Sequence, residues 1–442
     1  MKLTIVGAGK SGMSAVKLAV RLGYKVCLSE SKASSNFEKE ISELKSLGIS
    51  YEFGGNTGMF LKNCDVVVTS PGVPPHSPII REAESKNIPI ISELEFAWKH
   101  LKNPVISITG TNGKTTTTSL VTFILNNSGK KAIACGNIGT PLSDLVGNVD
   151  DDTILVIEAS SYQLDRCVEF KPDVSIILNI SPDHLGYHGT MEKYISAKWK
   201  TSSMQCQKNL LILNSDDETI SKNLFPTGAR IQNFSYSPVN WGIYVKGEHL
   251  IFKTADIEEE FMTVGSLSLP GTHNVYNSMA AALAARAFEV RNEDIRDSLM
   301  KFQGVEHRLE HVRTLNGVDF INDSKATNIN ATWYALSSYE EPVIWIAGGR
   351  GDSNDYSQLD ELVAKNVKCI VAIGEEAEAI FNHFCLMKRC YREDDLEGAV
   401  LRAYEQSERG DKILFTPACK SFDMFMNFEH RGEVFKNIVN SM

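Results

Sequence analysis

Short apolar strands alternate with helical patterns along most of this chain, and that alternation leaves few architectures open. In residues 1–97 the strands LTIVGAG, YKVCLSE and DVVVTSPG are separated by helical stretches, the first of which runs from Ser11 to Leu22. The strand-like runs PVISITG, KAIACG, TILVIEAS and VSIILNIS follow after Asn103. Strands and helices in this order predict parallel sheets with helices on both faces. We therefore expect an α/β protein.

The alternation falls into three blocks. A helical stretch, SELEFAWKHL, leads to Pro104, which marks a fresh start, and a third α/β pattern begins near residue 303. We predict an N-terminal Rossmann-like domain over 1–97, a central P-loop-type ATPase sheet over 98–302 and a C-terminal Rossmann-like domain over 303–442. Within the central block, IQNFSYS, GIYVKG and HLIFKTA are short alternating strands with turn residues between them. They predict a small antiparallel addition to the central sheet.

Composition and charge argue against several classes of function. Hydrophobic residues make up 43% of the chain and charged residues 23%, which is ordinary for a soluble globular protein. The net charge of -10 argues against nucleic acid or an anionic membrane as the main partner. No apolar run approaches the length of a membrane span, and the N-terminal MKLTIVGAG leaves no room for a signal peptide. The nine cysteines contain no C-x-x-C pair, as expected of reduced thiols in a cytoplasmic protein.

A first glycine-rich loop lies directly after the first strand. Gly7, Gly9 and Gly12 spell G-x-G-x-x-G before a helix, and Glu30 ends the next strand. This pattern is typical of dinucleotide sites, where the acidic residue binds a ribose. The glycines allow a diphosphate to approach a helix N-terminus, but they do not specify which diphosphate. An NAD-dependent oxidoreductase and a protein with another nucleotide-linked substrate are both compatible with the loop.

A second loop, in ISITGTNGKTTTTSLVTFIL, departs from the P-loop pattern G-x-x-x-x-G-K-[ST]. Gly113, Lys114 and Thr115 match, but Ile108 occupies the place of the first glycine and Gly110 comes two residues late. The strand–loop–helix context still predicts a nucleotide site, with the lysine ammonium on the outer phosphates of ATP and the threonine hydroxyl on Mg²⁺. Glu158, at the end of a neighbouring strand, is placed to bind the same metal.

Motifs along the whole chain resemble those of the Mur ligases, ATP-dependent amide-forming enzymes of peptidoglycan precursor synthesis. They are GTNGKTT, GNIGTPL, EASSYQL, SPDHL, AKWK, GTHNVYN, EHRLE, NDSKATN and SFDMFMNFEHRG. The displaced glycine is the pattern of that family. The last two motifs, with SPGVP and GAGKSGMS, are most similar to the branch that adds D-glutamate. The related folylpolyglutamate synthases share the ATP loop but fit only the central and C-terminal thirds.

The resemblance implies a reaction and its partners. The chain would join D-glutamate to UDP-N-acetylmuramoyl-L-alanine through an acyl phosphate, with ATP and two Mg²⁺ ions, in cell wall biogenesis and hence in cell shape and cell division. No nucleic acid or membrane partner is implied. Because one chain holds a full set of site residues, we expect a monomer.

The resemblance also implies roles for individual residues, with Lys114, His184 and Lys198 as the catalytic set. ATP would be bound by Gly110, Thr111, Asn112, Gly113, Lys114, Thr115 and Thr116, and by Asn274, Arg308, Asp323 and Lys325. Metal ligands would be Thr115 and Glu158 for one ion, and His184 and Lys198 for the other, with Lys198 carbamylated by CO₂ to supply oxygen ligands. The UDP-linked substrate would be bound by Ser11, Gly12, Glu30, Ser70, Pro71 and Gly72, with Asn137 near the reacting carboxylate. D-glutamate would be bound by Thr327, Arg350, Ser421 and Phe428.

One loop departs from the family pattern. Members usually place a basic residue a few positions after the Gly-Gly of the C-terminal domain, where it meets a D-glutamate carboxylate. In AGGRGDSNDY, Asp352 stands near that place and Arg350 precedes it by two residues. Either Arg350 takes over the role or the pocket is arranged differently. We expect Asp352 to face solvent or to pair with Arg350, since an inward carboxylate would repel the ligand.

Two other classes of function remain to be weighed against the ligase. An NAD-dependent oxidoreductase would leave the ATP loop and NDSKATN without a purpose. A non-catalytic, nucleotide-regulated binding protein would leave Lys114, Glu158, His184 and Lys198 idle. The residues thus favour the ligase.

Overall fold

A computed structural model describes residues 1–339, 341–351 and 354–442. The chain divides into two compact units: Met1–Leu267 with Tyr276–Phe302, and Ser268–Val275 with Gln303–Met442. The first unit contains two sheets and the second contains one. The predicted α/β fold is confirmed. The domain boundaries at 97/98 and 302/303 stay predictions.

The N-terminal sheet is parallel throughout, in the order β3-β2-β1-β4-β5. Its strands are β1 Lys2–Val6, β2 Lys25–Glu30, β3 Ser50–Phe53, β4 Val66–Thr69 and β5 Ile90–Ser92, and its helices are α1 Lys10–Arg21, α2 Glu38–Ser46, α3 Pro78–Ser85 and α4 Glu93–Trp98. The strand order reverses between β1 and β4, and ligands of such sheets bind at that reversal. The first glycine-rich loop follows β1, so it lies at this position.

The second sheet of the first unit has nine strands, in the order β14-β13-β12-β11-β10-β9-β6-β8-β7. The strands are β6 Val105–Thr109, β7 Ala132–Gly136, β8 Ile154–Glu158, β9 Val174–Ile177, β10 Leu210–Asn214, β11 Arg230–Ser235, β12 Gly242–Lys246, β13 His249–Lys253 and β14 Glu258–Thr263. The helices are α5 Lys114–Asn127, α6 Leu142–Leu145, α7 Ser161–Asp165, α8 Leu185–His188, α9 Met191–Trp199, α10 Glu218–Lys222, α11 Thr272–Ala287 and α12 Asn292–Lys301. Strand β6, which leads into the ATP loop, is buried at every residue between β8 and β9.

The predicted antiparallel addition is only partly right. β13 and β14 are antiparallel, but β11 pairs in parallel with β10, and β12 pairs in parallel with β11. A connection as short as 236–241 normally makes an antiparallel hairpin, which is why the prediction was wrong for the pair β11–β12, whereas β12 pairs antiparallel with β13 as predicted. Alternation of side chains reports which face is buried and carries no information on the direction of the neighbouring strand.

Hydrophobic packing and buried carboxylates join the N-terminal sheet to the central sheet. Leu94 and Phe96 of α4 share one hydrophobic cluster with Leu142 of α6. Glu95 is fully buried and accepts three backbone N–H groups from residues 168–170, at 3.0 to 3.2 Å. Glu93 accepts the Ser143 N–H at 2.8 Å. The two sheets of this unit are therefore held by hydrogen bonds as well as by apolar contact.

Glu93 should make stability depend on pH. Burial raises its pKa from 4.5 to about 7. As pH rises above 4.5, the unfolded chain loses the proton while the folded chain keeps it, so stability falls until about pH 7. Relative to Glu93→Gln, the wild-type free energy of unfolding should decrease by about 3 kcal/mol across that window. Urea unfolding at a series of pH values measures it. Glu38→Gln, an exposed control, should show the same pH dependence of the free energy of unfolding as the wild type. If Glu93→Gln also shows the wild-type pH dependence, the expectation is contradicted.

The second unit contains a six-stranded sheet, in the order β15-β16-β20-β17-β18-β19, in which only the pair β15–β16 is antiparallel. Its strands are β15 Glu310–Leu315, β16 Val318–Asn322, β17 Val343–Gly348, β18 Val367–Ile373, β19 Arg389–Arg392 and β20 Lys412–Phe415. Its helices are α13 Ile329–Ser337, α14 Asp360–Asn366, α15 Ala377–Phe384, α16 Leu396–Glu405 and α17 Phe428–Ser441. The edge strands β15 and β19 were not predicted, because neither contains a fully buried residue. Among the described residues, no helix is long and apolar enough to cross a membrane.

Candidate active site

The ATP loop, residues 110–114, lies between the end of β6 and the start of α5. The side chain of Lys114 folds back over this loop. Helix α5 begins at Lys114. The lysine Nζ donates to the carbonyl oxygens of Gly110, at 2.9 Å, and Thr111, at 2.8 Å. A helix N-terminus with an ammonium above it favours anions. The arrangement suits a phosphate group.

Two asparagines fix the shape of this loop. Gly113 has φ of 83°, and a Cβ there would collide with the side-chain oxygen of Asn277, so only glycine fits. Asn179, after β9, accepts the Asn112 N–H at 2.8 Å and donates to the Asn112 carbonyl oxygen at 3.0 Å. Sequence reasoning missed both asparagines. A polar residue directly after the buried run VSIIL was the available signal for Asn179.

Glu158 is buried at the end of β8 and is held by two site residues. Thr115 Oγ1 donates to its Oε2 at 2.7 Å, and Asn137 Nδ2 donates to its Oε1 at 2.8 Å. The hydroxyl and the carboxylate are oxygen donors of the kind that Mg²⁺ prefers, so these residues fit the metal that the loop implies. Asn137, expected near the reacting carboxylate of the substrate, is thus directed onto Glu158, the carboxylate predicted to bind the metal.

Lys198 projects from α9 into the same loop and is only 1% exposed. Its Nζ donates to the Gly110 carbonyl oxygen at 2.7 Å, so two lysines meet at one backbone oxygen. Burial, with the charge of Lys114 nearby, holds the pKa of Lys198 well below its usual range. The amine is therefore readily neutral, which is the nucleophilic form.

Tyr194 supports Lys198 and was missed from the sequence. Lys198 Nζ lies 4.6 Å from the centroid of the Tyr194 ring, and the Tyr194 hydroxyl is 2.9 Å from Thr111 Oγ1. The tyrosine stands four residues before the lysine on α9, so the helical spacing was the only signal.

His184 follows β9 in a left-handed conformation, with φ of 55°, and its side chain is about half exposed. Its Nδ1 lies 3.4 Å from Asp183 Oδ1, and its ring centroid lies 4.8 Å from that of Tyr162. Tyr162 also stacks on the buried His188, whose Nε2 is 3.0 Å from Ser161 Oγ. Burial lowers the pKa of His188 to about 4, so this second histidine is neutral at pH 7. Asp183 also acts electrostatically on Lys198, which places it near both predicted ligands of the second metal.

A separate cleft of about 570 Å³ opens at the reversal point of the N-terminal sheet. The residues predicted for the UDP substrate that line it are Ser11, Glu30, Ser70, Pro71 and Gly72. Gly12 instead packs beneath the loop, where a Cβ would collide with the Gly7 carbonyl oxygen. Glu30 accepts the Ala8 N–H at 2.7 Å and the Lys32 N–H at 2.9 Å. It therefore braces the glycine loop as well as lining the cleft.

The second unit holds the remaining residues predicted for ATP. Asp323 is 1% exposed, lies 3.6 Å from Arg308 Nη1, and accepts the Thr416 hydroxyl at 3.0 Å. Burial raises its pKa to about 6. Asn274 donates to the Pro270 carbonyl oxygen at 2.7 Å. Lys325 follows Asp323 by two residues, so one turn carries both a cation and an acid.

The residues predicted for D-glutamate also lie in the second unit. Lys325 Nζ is 5.1 Å from the centroid of the Phe428 ring, Ser421 is buried, and Thr327 is half-buried. Arg350 is directed elsewhere: its Nε and Nη2 donate to Glu375 at 3.0 and 2.7 Å. Asp352, predicted to face solvent or to pair with Arg350, lies outside the described residues.

Sequence profiles of three domains match the chain in order. They are described as "Mur ligase MurD-like, N-terminal domain" over residues 1–92, "Mur ligase middle domain" over 108–285 and "Mur ligase, glutamate ligase domain" over 307–419. Together they span all three sheets.

Curated proteins are similar over the full length. UDP-N-acetylmuramoylalanine--D-glutamate ligases of Salinibacter ruber and Clostridioides difficile are each 40% identical to this chain, with 100% of this chain and 98% of each relative covered. This chain and these two relatives therefore differ by no more than short insertions and deletions.

Solved structures share the fold at lower identity. A UDP-N-acetylmuramate-alanine ligase from Thermotoga maritima has a TM-score of 0.59 at 20% identity, covering 100% of this chain and 99% of its own. A MurF ligase from Thermotoga maritima, in complex with ADP, has a TM-score of 0.60 at 16% identity, covering 94% and 95%. The FolC protein of E. coli, in complex with DHPP and ADP, has a TM-score of 0.60 at 18% identity, covering 79% and 92%.

Proposed function

Because this chain belongs to the Mur ligase family, we propose that it is an ATP-dependent ligase that joins D-glutamate to UDP-N-acetylmuramoyl-L-alanine in peptidoglycan precursor synthesis. The substrates are those in the names of the full-length relatives. The observation that carries the chemistry is the convergence of Lys114 and Lys198 on one carbonyl oxygen of the ATP loop, beside Glu158. The ammonium of Lys114, a buried lysine that can be modified and a carboxylate suited to Mg²⁺, together at a helix N-terminus, suit phosphoryl transfer.

Phosphoryl transfer is needed because a carboxylate is a poor acylating agent. The carboxylate of the muramoyl-alanine attacks the γ-phosphorus of ATP, the bond to the bridging oxygen breaks, and ADP leaves. Lys114 stabilises the charge that develops on the phosphate oxygens. The neutral amine of D-glutamate attacks the carbonyl carbon of the acyl phosphate, the nitrogen loses a proton, and the tetrahedral intermediate expels phosphate as the amide forms. Excluding water from the acyl phosphate prevents its hydrolysis.

Thr115 and Glu158 would hold one Mg²⁺, and His184 with Lys198 would hold a second. Bound Mg²⁺ supplies charge neutralisation at the phosphate oxygens. A cationic lysine cannot be a ligand, whereas a neutral one can attack CO₂: the N–C bond forms, the nitrogen loses a proton, and the carbamate presents two oxygens. The burial that lowers the pKa of Lys198 supports this modification.

Other assignments follow from the same proposal. The cleft beside Gly7 and Ser70 would bind the UDP group. The second unit would supply Asp323 and Lys325 for ATP. It would also supply the D-glutamate cradle, which consists of Thr327, Ser421 and Phe428. We retain three domains, 1–97, 98–302 and 303–442, and a cytoplasmic monomer without nucleic-acid or membrane partners.

Release of phosphate from ATP tests the function. The ligase should release phosphate only when UDP-N-acetylmuramoyl-L-alanine and D-glutamate are both present, and a UDP-linked dipeptide should accumulate in equal amount. An oxidoreductase would instead consume NAD, and a binding protein would release no phosphate. If D-aspartate or another amino acid proves the better substrate, the second substrate is wrong although the ligase activity stands.

Arg350→Ala should raise the KM for D-glutamate roughly tenfold or more, because a guanidinium fork is well suited to a carboxylate and its bonds are charge-assisted. In the proposal, Arg350 turns into the cradle when substrate binds. The KM for ATP should hardly change. Steady-state kinetics with each substrate varied in turn measures both constants, with Arg389→Ala on an exposed part of β19 as control. If neither constant moves, the carboxylate is held elsewhere.

A further inference from the structure

Arg350 is engaged by a carboxylate of its own chain. Its Nε and Nη2 make two parallel bonds to the two oxygens of Glu375, the bidentate geometry that a substrate carboxylate would also use. Both side chains are about half exposed, at 49% and 53%. A pair exposed to this degree is weak, since water and salt screen it. Substrate can therefore compete with Glu375 for the same face of the guanidinium.

The backbone around this pair is tied in place. The Arg350 N–H donates to the Lys420 carbonyl oxygen at 2.8 Å, and the Lys420 N–H donates back to the Arg350 carbonyl oxygen at 2.9 Å. This fixes the backbone of Arg350 next to Ser421, the residue that follows Lys420. On the other side, the Glu375 N–H donates to Asp423 at 3.2 Å. The backbone of Arg350 is thus fixed, whereas its half-exposed side chain can rotate from Glu375 to another carboxylate.

The surroundings of Glu375 differ from those of Ser421. Glu375 opens onto a cleft of about 670 Å³ that is lined by one cation, Arg392, and by the carboxylates Glu375, Glu378, Glu393, Asp394 and Asp423. Ser421, by contrast, is buried and belongs to the proposed D-glutamate cradle. Because carboxylates outnumber the single arginine of this cleft, a dicarboxylate is disfavoured there, and Arg350 would bind the substrate by exchanging Glu375 for it.

We propose that Glu375 is a specificity-determining residue that competes with D-glutamate for Arg350 and so sets the KM for the amino acid. The inference rests on the proposed function. When the substrate carboxylate replaces Glu375, the Arg350 guanidinium again has two hydrogen-bond acceptors. The substrate must, however, overcome the existing pair, and this raises its KM by the strength of that pair.

The test is Glu375→Gln, which keeps the side-chain shape but removes the competing charge. The KM for D-glutamate should fall about two- to fivefold, the range expected of a surface ion pair, while the KM for ATP stays unchanged. Glu378→Gln is the matched control, because it removes a charge from the same cleft and is not bonded to Arg350 within the part of the chain that the structure describes.

A double-mutant cycle separates a direct role from one that acts through Arg350. In the Arg350→Ala background, Glu375→Gln should leave the KM for D-glutamate unchanged. A KM that rises or stays constant in Glu375→Gln alone would overturn the inference, as would an equal fall in Glu378→Gln. Urea unfolding confirms that each variant is folded. If the wild type does not consume D-glutamate, the proposed function fails; if it does and the KM is insensitive to Glu375, only this inference fails.

Discussion

Lys114→Ala should lower kcat by about a hundred- to a thousandfold, because the ammonium is needed most as charge develops on the transferred phosphoryl group. In the structure its Nζ bonds the carbonyl oxygens of Gly110 and Thr111, so it is held over the loop at the helix N-terminus. Phosphate release under saturating substrates measures the loss. Retention of more than about a tenth of the activity would give the loop another role.

The same variant should still bind the UDP-linked substrate. The cleft proposed for that substrate lies beside β1 and β4, on a different sheet from the ATP loop. Isothermal titration with UDP-N-acetylmuramoyl-L-alanine tests this and shows that the variant is folded. Lys222→Ala, an exposed lysine on α10, is the control and should match the wild type in both measurements.

Lys198→Ala should lose at least about a hundredfold in kcat, since it removes a proposed metal ligand. A short carboxylic acid such as acetate should restore part of the activity by supplying oxygens at the vacated position. Because the side chain is almost completely buried, Lys198→Met serves as a second variant that keeps the apolar stem. It should be inactive yet as stable as the wild type. Lys193→Ala, exposed on the same helix, should remain active.

The carbamate itself has a direct readout. Intact-protein mass spectrometry at neutral pH should show the mass of one added CO₂, which acid should remove and which should be absent from Lys198→Ala. Activity should fall when CO₂ and bicarbonate are depleted. A fully active enzyme with a bare amine at Lys198 would rule the modification out.

Much of the phosphate end of the site could be predicted from the chain. Lys114 and Thr115 follow a buried strand and open a helix, and Glu158 ends the neighbouring strand, so local order alone places them at one edge of a parallel sheet. The supporting residues Asn179 and Tyr194 could not be found in this way. Their role depends on contacts between separate loops and helices, which strand and helix periodicity does not encode.

The C-terminal site shows the same division. The departure from the family pattern made Arg350 a candidate for the basic residue of its loop, but no sequence pattern indicated that Glu375, 25 residues later, would hold its side chain. The pairing arises because β17 and β18 are parallel neighbours, so the loops that follow them meet at one edge. An ion pair of this kind depends on strand order.

The patterns of apolar residues and of glycines were sufficient to predict the α/β class, the three sheets and the two glycine-rich loops. Burial and turn chemistry are local properties of the chain. These patterns were not sufficient for the parallel pairing of β11 with β12, for the burial of Lys198 or for the partner of Arg350. These depend on which segments become neighbours when the sheets form. The pKa of Lys198 is lowered because the fold buries this side chain against the ATP loop, near Lys114.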